Sequence, residues 1–293
     1  MKRSVFFMSA AAAAGAMAFP AHAADWTGFH IGVGGGVHHA HSRLRQGADA
    51  AGSNALYGCT MSQICSQDFF TAGADSSRSA GKTSGFGTVE GGYDFQFSNI
   101  VAGFLADYDF GKSTLRAGAN GSWTVGTHTI DNSGASPVIT GTTTVDGGPA
   151  SVRQSLSLRN SWDLGARLGF VAMPKLLVYT AGGYSRVKLR QSATGTLGAG
   201  ESVLTSDESF GLSQSKWKAG WFLGAGVETL LGHHISGKLE YRYARYGSIG
   251  MGENDVPFTI VDPNGNITGT ASGGADARSI NNQSLRAVVS YRF

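Results

Sequence analysis

The sequence is poor in the features that mark several common protein classes. Its 293 residues include only 6 prolines and 2 cysteines, and 15% of the residues are charged. So few prolines exclude a collagen or a proline-rich linker, and two cysteines do not make a metal-ligand set. The formal net charge of +3 falls to about +1 when Lys2 and Arg3 are removed, which argues against a nucleic-acid partner.

Long apolar runs are missing after the N-terminus, and no long amphipathic helix is indicated. The first residues are Met1-Lys2-Arg3, followed by an apolar run over 5–19 and by Ala21-His22-Ala23. A cationic start, a short apolar core and a small-x-small site are typical of a secretory signal. We predict a signal peptide at 1–23 and a mature domain at 24–293. The alternative, a membrane anchor, fits less well because the run is short for a spanning helix.

The predicted export of the chain indicates the state of its two cysteines. Disulfides form in oxidising compartments, so a disulfide between Cys59 and Cys65 is the expected state of these residues. The same two residues are not expected to bind a metal.

The mature sequence instead contains segments in which apolar and polar residues alternate. Successive strand side chains face opposite sides of a sheet, so this period of two predicts β-strands. Eight such segments are long enough to cross a bilayer as tilted strands. They are 26–38, 83–97, 100–110, 162–171, 176–190, 217–229, 235–243 and 284–293.

The connections between these segments alternate in length. Short ones lie near 98–99, 173–175 and 232–234, and long ones cover 39–82, 111–157, 191–215 and 247–282. Tight turns at one end and long loops at the other are typical of a transmembrane up-and-down barrel. The sequence therefore predicts an all-β fold, an eight-stranded antiparallel barrel with short periplasmic turns and long extracellular loops. In 111–157, alternating stretches indicate that strands can continue above the membrane as hairpins.

One face of each segment is apolar and carries aromatic residues near its ends, as membrane-facing strands do. In 176–190 we assign Leu177, Tyr179, Val187 and Leu189 to that face. The opposite face carries charges of both signs, and we predict that these form a lumen charge network. Its members are Glu90, Asp94, Asp107, Asp109, Asp163, Arg167, Arg186, Lys188, Lys218, Glu228, Lys238, Glu240, Arg242, Arg286 and Arg292.

The balance of these charges predicts a closed lumen. An eight-stranded barrel is just wide enough for side chains to fill it, and buried charges persist when they are paired. We therefore expect salt bridges to plug most of the lumen. The alternative is a soluble sandwich or barrel whose charged face meets water.

Three stretches resemble a known family. "ADWTGFHIGVGGGV" (24–37), "LEYRYARYG" (239–247) and "AVVSYRF" (287–293) resemble the alphaproteobacterial small porin-like outer-membrane proteins, often called outer membrane immunogenic proteins. These are similar to the barrel domain of OmpA. The resemblance covers the strands of the mature chain, whereas the loops match no known pattern.

The resemblance implies an eight-stranded barrel in the outer membrane of a Gram-negative bacterium, in contact with outer-membrane lipid. It also implies that the barrel-assembly machinery reads the final strand, with Tyr291 and Phe293 as the assembly signal. Members of the family have been linked to envelope integrity, to surface antigenicity and, in some relatives, to haem binding.

The sharpest chemical cluster is "HHAH" at 38–41. Imidazoles bind metals and haem iron, but alternation sends His38 to the opposite face from His39 and His41, and no fourth ligand is apparent. We expect no metal and no cofactor, with these histidines as weak candidates. No nucleophile elbow supports a hydrolase, so we also expect no enzymatic activity.

The sequence thus predicts a structural outer-membrane barrel that supports the envelope and displays surface loops. Two alternatives remain open: a narrow porin for small solutes, and a surface protein that binds haem or a host ligand. The oligomeric state is not predicted.

Overall fold

The computed structural model describes residues 25–199, 208–261 and 264–293. The predicted signal peptide at 1–23 lies outside the described residues. Within them, no helix is long and apolar enough to cross a membrane.

The described chain is built from ten antiparallel β-strands, numbered in chain order. They are β1 (Gly28–Ser53), β2 (Ile64–Phe97), β3 (Ile100–Gly111), β4 (Ser113–Asp131), β5 (Val138–Met173), β6 (Leu176–Leu197), β7 (Glu208–Leu230), β8 (Ile235–Tyr246), β9 (Ile249–Ile260) and β10 (Ile267–Arg292).

Hydrogen-bonded pairing closes the sheet on itself. Each strand of the series β1, β2, β3, β5, β6, β7, β8 and β10 pairs with the next, and β10 pairs with β1. The other two strands continue members of this ring: β4 follows β3 after Lys112, and β9 follows β8 after 247–248. Short interruptions therefore account for ten strands where the sequence indicated eight crossings.

The stretches predicted as long loops are mostly strand. β1 and β2 stay paired from Gly28↔Asp94 to Ser53↔Phe69, and β6 and β7 stay paired as far as Leu197↔Glu208. The prediction of loops at 39–82, 111–157, 191–215 and 247–282 was thus wrong in its detail. Most of the Gly, Ser and Thr residues that the structure describes in these stretches lie on extended hairpins, because neighbouring strands supply the hydrogen-bond partners of such small residues.

The barrel wall has two halves, which differ in whether the apolar side chains face outward or inward. In the half nearest the short turns, most outward side chains are large and apolar, and most inward ones are polar or charged. Two aromatic belts border this half. The lower belt contains Phe29, Phe97, Phe170, Tyr291 and Phe293, and the upper belt contains Tyr108, Phe110, Trp162, Tyr184, Trp221 and Tyr243. An apolar band between aromatic girdles is the outer surface expected of a barrel in lipid.

Beyond the upper belt the pattern reverses. Leu44, Leu115, Leu156, Leu189 and Ile280 are buried inside this half and share one apolar cluster. The outward positions carry exposed cations, among them Arg43, Arg45, Arg116, Arg153, Arg186, Lys188 and Arg190. A water-facing wall around an apolar core is the arrangement of a soluble barrel.

β6 crosses this boundary without changing its alternation. Its outward positions pass from Val178 and Tyr184 to the exposed Arg186 and Lys188, while Leu177, Tyr179, Val187 and Leu189 point inward and are buried. The assignment of these four residues to the lipid face, and of Arg186 and Lys188 to the lumen, was therefore wrong. These four residues contribute to the barrel interior.

The last residues of the chain complete the barrel. The Phe293 amide donates to the Phe29 carbonyl at 2.9 Å, and the two rings lie 5.7 Å apart. Gly28 has φ +144°, and a Cβ there would lie 2.6 Å from the Phe293 carbonyl oxygen. The chain termini of the barrel thus meet at a position that only glycine fits.

Candidate functional site: the barrel lumen

The structure brings most of the predicted lumen charges together. Twelve of the fifteen take part in buried or half-buried ion pairs that connect strands across the lumen. Arg186 and Lys188 do not, because they point outward. Lys218 lies on the inward side of β7 and is half-buried, but it has no ion pair within the described part of the chain.

Four of the charges form a lower charge layer near the short turns: Asp94, Arg167, Glu228 and Arg292. Arg167 donates from Nε to Asp94 and from Nη1 to Glu228, both at 2.7 Å. Arg292 donates to the same two carboxylates, at 2.8 Å and 3.2 Å. Two cations and two anions therefore form a closed square that links β2, β5, β7 and β10. Ser236 adds a hydrogen bond to Glu228 at 2.7 Å.

Six more charges form an upper charge layer: Asp107, Asp109, Asp163, Glu240, Arg242 and Arg286. Arg242 donates to Glu240 at 2.7 Å, to Asp107 at 2.8 Å and to Asp163 at 2.6 Å. Arg286 donates to Asp109 at 2.9 Å and to Asp107 at 3.3 Å. β3 and β8 lie on opposite sides of the ring, so the Arg242–Asp107 pair spans the lumen.

A further pair, Lys238 with Glu90, joins β8 to β2. Ser290 supplies a long hydrogen bond to the same glutamate at 3.5 Å. The pair adds one more buried cation and one more buried anion to those of the two layers.

Aromatic residues that sequence reasoning missed cover the arginines. The Arg242 guanidinium lies 4.2 Å from the Phe222 ring centre, and that of Arg292 lies 5.0 Å from the Trp26 ring centre. The Tyr179 hydroxyl donates to Glu240 at 2.8 Å. Cation–π contacts of this kind strengthen when they are desolvated. Phe222 could have been found by parity, since it shares a face with Glu228.

The three candidate histidines do not converge on one point. His38 is buried and stacks on Phe86, with ring centres 5.4 Å apart. His39 is exposed and shares a 2.9 Å hydrogen bond with Thr83, and His41 is half-buried. Alternation places His38 and His39 on opposite faces of β1, so this segment supplies no common ligand geometry.

Among the described residues, the one group of His, Cys, Asp or Glu side chains close enough for a metal is Asp107, Asp109 and Asp163. Arg242 and Arg286 already hold these carboxylates. The donor set fits guanidinium partners better than a metal ion, because the two arginines occupy the space between the oxygens.

A disulfide and several hydrogen bonds hold the tip of the hairpin formed by β1 and β2. Cys59 and Cys65 form a disulfide there. Asp68 accepts hydrogen bonds from Tyr57 at 2.8 Å and from Thr127 at 2.7 Å. Burial opposes ionisation of this carboxyl, but hydrogen bonds from Thr127, Tyr57, Asn264 and Asn54 outweigh it and hold the pKa of Asp68 below its usual value. The outer tips are therefore joined by specific polar contacts.

The chain is similar to known outer-membrane proteins. The sequence profile described as "Outer membrane protein beta-barrel domain" matches residues 8–293. The 31 kDa outer-membrane immunogenic protein of Brucella melitensis biotype 1 is 34% identical over 93 residues, which are 32% of this chain and 35% of that protein. The 25 kDa outer-membrane immunogenic protein of Brucella ovis is 33% identical over 87 residues, 29% of this chain and 34% of that protein. The matches thus cover about a third of each relative.

Two solved barrels are also similar. Neisserial surface protein A covers 86% of this chain and 97% of its own, with 13% identity and a TM-score of 0.30. The outer membrane protease OmpT from Escherichia coli covers 91% and 97%, with 9% identity and a TM-score of 0.37.

Proposed function

The chain belongs to the outer membrane protein β-barrel family and is located in the outer membrane of a Gram-negative bacterium, and from this premise we propose that it is a structural barrel with a closed lumen. Eight strands (β1, β2, β3, β5, β6, β7, β8 and β10) cross the membrane. β4 and β9 extend the wall above it. The barrel supports the envelope, displays the long hairpins and performs no catalysis.

One observation supports the proposal: in two layers, buried ion pairs join strands that are not neighbours in the barrel wall, and the Arg242–Asp107 pair spans the lumen. The lower charge layer has equal numbers of cations and anions, and each arginine bridges two carboxylates. Removing one partner of a buried pair leaves an uncompensated charge, which costs several kcal/mol. A solute would have to break such pairs to pass, so the layers act as a plug.

A narrow channel is the second candidate, and the upper charge layer favours it. Four carboxylates there face two guanidinium groups. Asp163 Oδ1, Arg242 Nη2 and Arg286 Nε are buried without a hydrogen-bond partner. Groups of this kind usually contact ordered water, and a negative excess would favour small cations.

Planar-bilayer recording separates the two candidates. We expect the folded wild-type protein to give no steady current steps in symmetric KCl, because both layers are intact. The Glu240→Ala/Arg242→Ala variant removes one anion and one cation from the upper charge layer, so current steps are expected to appear. Arg186→Gln serves as the control, since that side chain lies outside the barrel. Steady wild-type steps with a cation-selective reversal potential would support the channel instead.

We also propose that the last strand engages the barrel-assembly machinery through Tyr291 and Phe293. Their rings lie 4.9 Å apart on the outward face at the closing seam. Deletion of Phe293 is expected to lower the amount of folded protein in the outer membrane several-fold while changing the unfolding midpoint of the refolded protein little. The readouts are cell fractionation and denaturant titration in detergent. Normal outer-membrane yield of the deletion variant contradicts the proposal.

A further inference from the structure

The barrel wall contains a slit above the upper aromatic belt. β2 pairs with β3 up to Phe86↔Gly111 and with β4 only from Gly73↔Ser122 onward. Between these points, 74–85 and 112–121 form no ladder with each other, although β2 stays paired to β1 and β4 to β5. Side chains bridge the slit instead, including Ser76 Oγ to the Gly118 carbonyl at 3.2 Å and Ser113 Oγ to the Lys82 carbonyl at 3.4 Å.

A cavity of about 750 Å³ lies at this slit, and four cations line it: Arg78, Lys82, Arg116 and Arg153. All four side chains are exposed. Within the described residues no carboxylate forms an ion pair with any of them, and the one exposed pair joins Arg278 to Asp276. The lining also includes Ser155 and Ser192, whose hydroxyls lie 2.8 Å apart. The cavity therefore holds uncompensated positive charge beside hydroxyl donors.

The cavity opens on the outer surface of the barrel. Arg116 and Arg153 occupy outward positions on β4 and β5, whereas their strand neighbours Leu115 and Val152 are buried. Gly118 leaves space over β4 for the Arg153 side chain, whose Nη1 lies 3.5 Å from where a Cβ would be. Arg153 thus leans across β4 toward the slit.

The position of the cavity relative to the upper aromatic belt indicates which molecules it can contact. Arg116 follows the belt residue Phe110 along the same wall, and Lys82 lies just beyond Phe86. At about 3.3 Å per residue, the cavity begins roughly 10–20 Å along the strands beyond the upper belt. Aromatic belts lie at the membrane interface, so the cavity faces the headgroup region of the outer leaflet from the side.

We propose that the slit cavity binds the phosphate groups of a phosphorylated glycolipid of the outer leaflet. Arginine recognises phosphate through paired N–H donors, and lysine does so as a point charge. The strand edges along the slit add backbone groups without a ladder partner. This inference is independent of whether the lumen conducts, because no residue that lines the cavity belongs to either charge layer.

Calorimetric titration of the folded full chain in zwitterionic detergent tests the proposal, with lipid A carrying two phosphates as the probe. The site variant Arg116→Gln/Arg153→Gln is expected to bind at least about tenfold more weakly, because charge-assisted hydrogen bonds to phosphate are lost. The control Arg186→Gln/Lys188→Gln removes the same charge from exposed positions of β6 and is expected to change affinity less than about twofold. Gly118→Val keeps every charge but displaces Arg153, so a drop in its affinity supports a defined site.

Further probes identify the source of the anion. Dephosphorylated lipid A is expected to lose most of its affinity, and inorganic phosphate alone is expected to bind far more weakly than the lipid. Equal losses in the site and control variants would overturn the proposal in favour of diffuse attraction. Absence of lipid A binding, tighter binding of inorganic phosphate, or tighter binding of a heparin oligosaccharide would also overturn it. Unchanged gel mobility before and after heating, compared with wild type, verifies that each variant is folded.

Discussion

Replacement of Arg242 by methionine is expected to lower the free energy of unfolding by about 3–5 kcal/mol, the usual cost of breaking a buried ion pair on one side. Arg242 holds Glu240, Asp107 and Asp163, all of which remain buried after the change. Methionine fills similar volume, so the loss arises from uncompensated charge more than from a cavity. The cation–π contact between Arg242 and the Phe222 ring is also replaced by an apolar contact.

Urea titration of refolded protein in lipid vesicles, followed by tryptophan fluorescence, measures this effect. Arg186→Met is the matched control, because it removes the same charge from an exposed site just above the upper belt, and a shift below about 0.5 kcal/mol is expected there. Adding Asp107→Asn and Asp163→Asn to Arg242→Met removes two of the stranded charges and is expected to recover part of the stability. Equal midpoints for Arg242→Met and wild type would show that the upper charge layer contributes little to folding.

Much of the lower barrel could be predicted from alternation alone. Asp107, Arg242 and Arg286 were assigned inward by their position relative to apolar neighbours, and the structure buries all three. Which cation meets which anion could not be predicted, because the partners lie far apart in sequence and depend on strand register and barrel shear. The contacts of Trp26 and Phe222 with the arginines were not predicted for a related reason. An aromatic residue in a membrane strand is easily assigned to the lipid face unless its odd or even position is compared with that of the charged residues on the same strand.

The upper half shows where the reasoning failed. Alternation states which residues share a face, but the direction of that face depends on the surroundings. In β6 the buried residues Leu177 and Leu189 both point inward, Leu177 in the membrane half and Leu189 in the water-exposed half. Arg186 and Lys188 were assigned to the wrong side because the apolar face was taken to meet lipid along the whole strand. The slit at 74–85 has no sequence signal either, because its residues alternate as readily as those of a paired strand.

Substitution of Gly36, which lies at the closing seam between β1 and β10, is also expected to have a large effect on barrel assembly. A Cβ at Gly36 would lie 2.0 Å from the Leu285 carbonyl oxygen, and one at Gly34 would lie 2.1 Å from that of Ala287. These contacts are far inside van der Waals distance, and both obstacles are backbone atoms that cannot rotate away. β1 must therefore lie unusually close to β10 where the barrel closes, which is a use of glycine within strands.

Gly36→Val is expected to prevent closure, because the added side chain would overlap backbone atoms that cannot move aside as core side chains do. The amount of folded protein in the outer membrane is therefore expected to fall by roughly tenfold or more. The readout is the heat-sensitive gel mobility of the folded barrel in membrane fractions. Gly47→Ala is the control on the same strand, because a Cβ there meets only the Asp75 Cβ at 3.7 Å, an ordinary contact. If Gly36→Val assembles as well as Gly47→Ala, β1 can shift away from β10 without opening the barrel. In that case closure depends on the ladder as a whole, and the local approach at Gly36 is not required.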